Sequence, residues 1–191
     1  SGPQTAGVTF GGLVAPSTRK DETETWDGTA WTEQGDLSTG RSRPGSSTAA
    51  PNVSSLCMSG YAGTAATVHT EEWDWSATLK AGAWASSNNM NTGRDFMGCA
   101  GTQTATITAG GEPPNTSKAE QYDGSSWTEV GDLVSGARYG MRGFGSVTAG
   151  IICGGYPPTP GGTVTESWNG TGWSEVADLN SGRYQFGSAL G

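Results

Sequence analysis

The chain has 191 residues, a length that suits one domain of ordinary size. Only 33% of them are hydrophobic, with 32 glycines and eight tryptophans, and the formal net charge is −8. Lys20, Lys80 and Lys118 are the only lysines and form no basic stripe, and no apolar run reaches membrane-spanning length. Nucleic-acid binding and membrane insertion are therefore not expected.

No stretch carries the 3.6-residue period of an amphipathic helix, so strands are expected throughout. The first β-rich run is VTFGG at 8–12, followed by TETWDGTAWTEQGDLSTGR at 23–41. The same succession returns as LCMSG (56–60) with TEEWDWSATLKAGAWASSNNMNTGR (70–94). It returns again as ITAGG (107–111) with AEQYDGSSWTEVGDLVSGAR (119–138), and as IICGG (151–155) with TESWNGTGWSEVADLNSGR (165–183). A period of this size marks a repeat architecture. Each copy holds a Glu two residues before an aromatic: Glu24/Trp26, Glu71/Trp73, Glu120/Tyr122 and Glu166/Trp168. A second tryptophan follows (Trp31, Trp84, Trp127, Trp173), then an apolar residue (Leu37, Met90, Leu133, Leu179) and a closing arginine (Arg41, Arg94, Arg138, Arg183).

The closing arginines are 53, 44 and 45 residues apart, and the path from Arg183 through the two termini to Arg41 takes 49 more. That value lies within the range of the others. The spacing predicts an all-β β-propeller of four four-stranded blades in one domain, 1–191. One blade is formed by 183–191 with 1–40, and the others by 41–93, 94–137 and 138–182. The same spacing also allows one unit of a longer tandem array, or half of a ring built from two chains. Within a blade the first strand follows the arginine (Arg138 to Val147 in the last copy) and the second ends at the glycine pair. The third ends at the first aromatic, and the fourth begins near the second tryptophan. Asp27-Gly28, Asp123-Gly124 and Asn169-Gly170 suit a type I′ hairpin between the last two strands. In the second copy ten residues rather than four lie between Trp73 and Trp84, so the hairpin Asp74–Ala83 is longer and projects. The Pro-rich stretches EPPNTSK (112–118) and YPPTPGG (156–162) read as connectors.

An arginine, a hydrophobic strand ending in Gly-Gly, an aromatic and then a tryptophan at a short fixed spacing resemble the kelch repeat. The resemblance covers the whole chain. The phrase WDGTxWTEVxDLNxGR looks like the variant found in large phage virion and environmental bacterial repeat proteins. Here the aromatic-to-Trp interval is shorter than in most kelch blades, and Trp usually leads where the family has Tyr. The resemblance implies a propeller with a virion, surface or filament role and no defined ligand.

One acid and one base per repeat suggest Glu–Arg or Arg–backbone contacts that tie strands together, since buried charges demand partners. Catalytic groups would break the repeat symmetry, because a site needs different residues in different roles. The repeated aromatics read as blade packing, with Trp75 and Trp84 on the long hairpin as the candidate binding loop. His69 is the only histidine, which excludes sites needing two imidazoles, the copper centre of kelch-like oxidases among them. It is placed on the third strand of the second blade, and no nucleophile-elbow pattern accompanies it. Cys57, Cys99 and Cys153 show no zinc spacing and read as small buried hydrophobes. Sialidases are also propellers, but WDGTAW lacks the spacing of their Asp-box, and Asp21, Glu22 and Glu112 read as surface acids.

No catalytic residue, cofactor or metal site is expected. The expected function is a non-enzymatic scaffold of an extracellular filament or a phage fibre or tail appendage. Such a scaffold would associate with itself or with neighbouring propellers, at a cell surface, on a virion or in the extracellular space. The alternative is an adhesion module that binds a cell-surface glycan or protein through loops on one propeller face.

Overall fold

Short runs of β-branched and aromatic residues broken by glycine favour strands over any other element. In the computed structural model, which describes residues 5–47, 53–76, 78–79, 81–157 and 162–187, all regular structure is β. The first blade holds β1 (Gly7–Phe10), β2 (Leu13–Val14), β3 (Thr18–Arg19), β4 (Thr23–Trp26) and β5 (Trp31–Glu33). The second holds β6 (Gly45–Ser46), β7 (Ser54–Met58), β8 (Thr70–Ser76) and β9 (Ala81–Ser87). The third holds β10 (Gly98–Thr102), β11 (Ala105–Ala109), β12 (Ala119–Tyr122) and β13 (Trp127–Val130). The fourth holds β14 (Arg142–Ser146), β15 (Ala149–Cys153), β16 (Thr165–Trp168) and β17 (Trp173–Val176).

Blades two to four are four-stranded antiparallel meanders in the orders β6-β7-β8-β9, β10-β11-β12-β13 and β14-β15-β16-β17. This is a four-blade propeller arrangement, and in the third and fourth blades the third strand ends at the first aromatic and the fourth begins at the second tryptophan, as expected from the repeat. The apolar core lies between blades. Leu56, Met58, Met97, Cys99, Tyr122 and Trp127 fill the space between the second and third blades. Ala100, Ile107, Met141, Ile152, Trp168 and Trp173 do the same between the third and fourth. A single blade has no core of its own, so each is stable only against a neighbour. All three cysteines are buried free thiols. Burial pushes the Cys57 thiol up to about 12.

The first blade is different. Its main sheet has three strands, β1-β4-β5, with β2-β3 as a separate small hairpin between β1 and β4. The spacing predicts a fourth strand from residues 183–191. Residues 183–187 carry no strand, and 188–191 lie outside the described residues. Parts of two other expected features also lie outside them: residues 158–161 of the second connector, and 77 and 80 of the long hairpin.

The hairpin turns correct the type I′ expectation. Gly28, Gly124 and Gly170 take φ of 98°, 93° and 95°, but the residue before each is not left-handed. The preceding side chain explains this: Asp123 Oδ1 accepts from the Ser125 and Ser126 amides (2.8 and 2.7 Å) and from the Ser125 hydroxyl (2.8 Å). Asp27 and Asn169 act alike. A side chain that caps the turn in this way keeps an ordinary φ, and one glycine suffices. The Ser126 amide, then the Ser125 hydroxyl and amide, lower the Asp123 carboxyl to about 2 from an ordinary 3.8. The depressed value means that its stabilisation is complete above the unfolded value. It disappears as the pH falls through about 2. A carboxyl-carbon NMR titration should therefore find a midpoint for Asp123 near 2.

In the second blade the extra positions are largely strand. β8 and β9 pair from Thr70↔Ser87 out to Ser76↔Ala81, so the blade is taller at that end rather than capped by a long loop.

Candidate functional site between the blades

The repeated charges meet at blade junctions. The backbone of Arg41 is held by the first blade: its amide donates to Lys20 O (3.1 Å), and its carbonyl accepts from Gly12 N (2.9 Å). Its side chain lies in the second blade, where it pairs with Glu71 and donates from Nη1 to the carbonyls of Ser59 and His69 (3.3 and 3.1 Å). Arg94 repeats this one blade on, donating to Glu120 at 2.8 Å and to Lys118 O at 2.9 Å. Arg138 donates to Glu166 at 2.6 Å. No side chain in these three pairs is more than 3% exposed.

Each glutamate uses its second oxygen as well. It accepts the amide of Ser38, Asn91 or Val134 from the preceding blade, at 2.9, 2.8 and 2.8 Å. Those amides follow the buried apolar residues Leu37, Met90 and Leu133. A socket is thus a carboxylate in one blade, closed by an arginine and an amide from the blade before; backbone carbonyls add to it for Arg41 and Arg94, whereas Nε and Nη1 of Arg138 are buried without a hydrogen-bond partner. Charges buried this deeply persist only where partners compensate their desolvation. Burial lowers the Arg94 and Arg138 guanidinium pKa values, and the paired Glu120 and Glu166 oppose this.

The aromatic pairs form a second lock. Trp26/Trp31, Trp73/Trp84, Tyr122/Trp127 and Trp168/Trp173 sit directly opposite in register, with ring centroids 5.0–5.4 Å apart. The second tryptophan also reaches the preceding blade. Trp84 donates from Nε1 to Thr23 Oγ1 (2.8 Å) and packs edge-on against Phe10, with centroids 4.7 Å apart. This corrects its assignment to a projecting binding loop: Trp84 is a junction residue. Trp75 stays half-buried on β8. Trp127 donates to Thr70 Oγ1 at 3.0 Å. Trp173 Nε1 is buried without a hydrogen-bond partner, because the matching position holds Ala119. Ala119→Thr should supply the acceptor and raise stability by about 1 kcal/mol in urea unfolding.

Tyr122 differs from its tryptophan counterparts because its hydroxyl donates to Glu72 of the second blade. Burial, then Glu72, raises it to about 12. His69 is exposed and lies one residue before β8 rather than on it; its carbonyl, not its ring, serves the Arg41 socket.

A row of aromatic rings is the feature that sequence reasoning missed. Phe96, Tyr139, Tyr156 and Tyr184 follow one another with successive centroids 6.0, 5.3 and 5.6 Å apart, and Tyr156 and Tyr184 are exposed. The available signal was an aromatic within two residues after Arg94, Arg138 and Arg183. At the head of the row Arg43 stacks over Tyr61 and Phe96 and pairs with Asp95 at 2.8 Å. Burial raises the Asp95 carboxyl to about 6 even so.

Among the described residues the fourth junction is not made. Glu24 and Arg183, the remaining members of the repeated pair, are both exposed, and no ion pair joins them among the described residues. Trp31 is 53% exposed, against 7% and 6% for Trp127 and Trp173. Beside Glu24 lies an open cavity of about 390 Å³ lined by Phe10, Gly11, Glu22 and Glu33 among others. Among the described residues no group of three or more His, Cys, Asp or Glu is placed to hold a metal ion.

No family model and no curated protein matches the chain. A solved structure described as "Structure of YjhT" superposes with a TM-score of 0.76 at 11% identity. The match covers 97% of this chain and 71% of that one, and it establishes the propeller fold.

Proposed function

We propose that the chain is a non-enzymatic, kelch-like propeller scaffold of the type repeated in large phage and environmental bacterial proteins. Its setting is an extracellular filament or a virion fibre or tail appendage. The observation that carries this reading is the use made of the repeated polar residues. Glu71, Glu120 and Glu166 with Arg41, Arg94 and Arg138 are consumed in three like, buried junctions. Groups committed in this way hold blades and are not available for acid–base or nucleophilic work. The purified chain should associate with itself, turn over no substrate in a panel of glycoside and ester compounds, and give no hits on a glycan array. Turnover of any of those substrates would refute the scaffold.

The aromatic row favours a second reading, an adhesion module for a glycan or a protein. Ring faces of tyrosine stack on sugars, and here several stand in line with two of them exposed. Array binding that disappears in Tyr156→Ala and Tyr184→Ala, with unfolding unchanged, would select this reading over the first.

A further inference from the structure

The cavity at the edge of the first blade is an unfilled arginine socket. Gly11 occupies the position of Ser59, and Glu22 that of His69 and Lys118, the residues whose carbonyls receive Arg41 and Arg94 in the filled sockets. Glu24 occupies the position of Glu71 and Glu120. The nearby cation Lys20 pairs with Glu22, and no ion pair reaches Glu24 among the described residues.

The opposite end of the chain carries the missing half. The Arg183 amide donates to Gly162 O (2.8 Å), and its carbonyl accepts from Gly155 N (2.9 Å), the same hold that presents Arg41 and Arg138. The Leu179 amide donates to Thr163 O at 2.9 Å, as Leu37 and Leu133 do to Asp21 O and Ser117 O. This sets the exposed Asn180 amide where Ser38, Asn91 and Val134 stand in the filled junctions. Thr165 holds the position of Thr23 and Thr70, the acceptors for Trp84 and Trp127, and is a ready partner for exposed Trp31.

We propose that the Arg183 edge of one copy of this chain docks into the Glu24 socket of a second copy, head to tail. The occupant is a second copy because the Arg183 edge presents the arginine and amide that fill the three internal sockets, and the Glu24 socket presents the matching carboxylate. Three internal junctions of the same design supply the geometry. Contacts of this unlike-faced kind close into a ring if the rotation allows and otherwise run on as a filament. The inference rests on the scaffold reading and supplies its joint.

Sedimentation velocity and native mass spectrometry over a concentration series test it. Wild type should form concentration-dependent oligomers. Glu24→Ala and Arg183→Ala, each altering an exposed side chain, should fold normally by circular dichroism and associate at least about tenfold more weakly. A mixture of the two variants keeps one intact junction and should stop at dimers. Oligomers of either variant as large as those of wild type would overturn this joint while leaving the scaffold reading in place. A wild type that stays monomeric at every concentration would overturn it as well. A monomer that also binds glycans on the array would remove both.

Discussion

Replacing Glu120 with alanine should cost about 3–5 kcal/mol of folding stability, while the same change at Glu24 in dilute protein should stay within about 0.5 kcal/mol. Both residues hold the same place in the repeat, so the contrast isolates the junction from the strand. Glu120 Oε1 accepts from Arg94 at 2.8 Å, and Oε2 accepts the Asn91 amide at 2.8 Å and its side-chain nitrogen at 3.0 Å. Truncation leaves the guanidinium of Arg94 buried with only the Lys118 carbonyl, and its Nε already has no partner. It also orphans the Asn91 amide. Glu24 faces water and makes no such contacts among the described residues. Glu120→Gln keeps an acceptor and should fall between the two. Urea unfolding with linear extrapolation measures all three. Equal losses at Glu24 and Glu120 would show that the sockets do not hold the blades.

The period, the strand order and the pairing of acid with arginine were legible in the sequence because each follows from spacing. Glycine ends the second strand of each copy, and the order of Glu, aromatic, Trp and Arg recurs in four copies. What spacing could not supply was the blade to which each side chain belongs. Arg41 is held by the first blade through its backbone and by the second through its guanidinium, a division visible only when both sheets are in place. For the same reason Trp84 reads as a loop residue in the sequence, although Thr23 and Phe10 of the first blade hold it. The turns mislead because Asp-Gly fits type I′ by composition, whereas the acid caps the amides ahead of it. The unfilled fourth socket was the hardest feature to foresee. The count of residues through the termini matches a closed ring, and only the exposure of Glu24, Trp31 and Arg183 distinguishes the two ends from the three junctions.

Gly143→Ala should destabilise the propeller by about 3 kcal/mol, although it adds one methyl group. Gly143 lies on β14, whose backbone runs beside β10 of the third blade. A Cβ there would sit 2.3 Å from the carbonyl oxygen, 2.8 Å from the carbonyl carbon and 3.0 Å from the amide nitrogen of Cys99. All three are backbone atoms and cannot rotate aside, so the third and fourth blades must separate. Separation would also strain the Arg138–Glu166 socket and the packing of Ile152 and Met141 between these blades. Gly172 makes the matching control: a methyl group added there would meet nothing within 4 Å, and its φ lies outside the left-handed region. At that position alanine should be neutral or stabilise by about 0.5 kcal/mol through the unfolded chain. Urea midpoints of the two variants should therefore move apart. If Gly143→Ala matched Gly172→Ala, close approach of the inner strands would not be what sets the angle between blades.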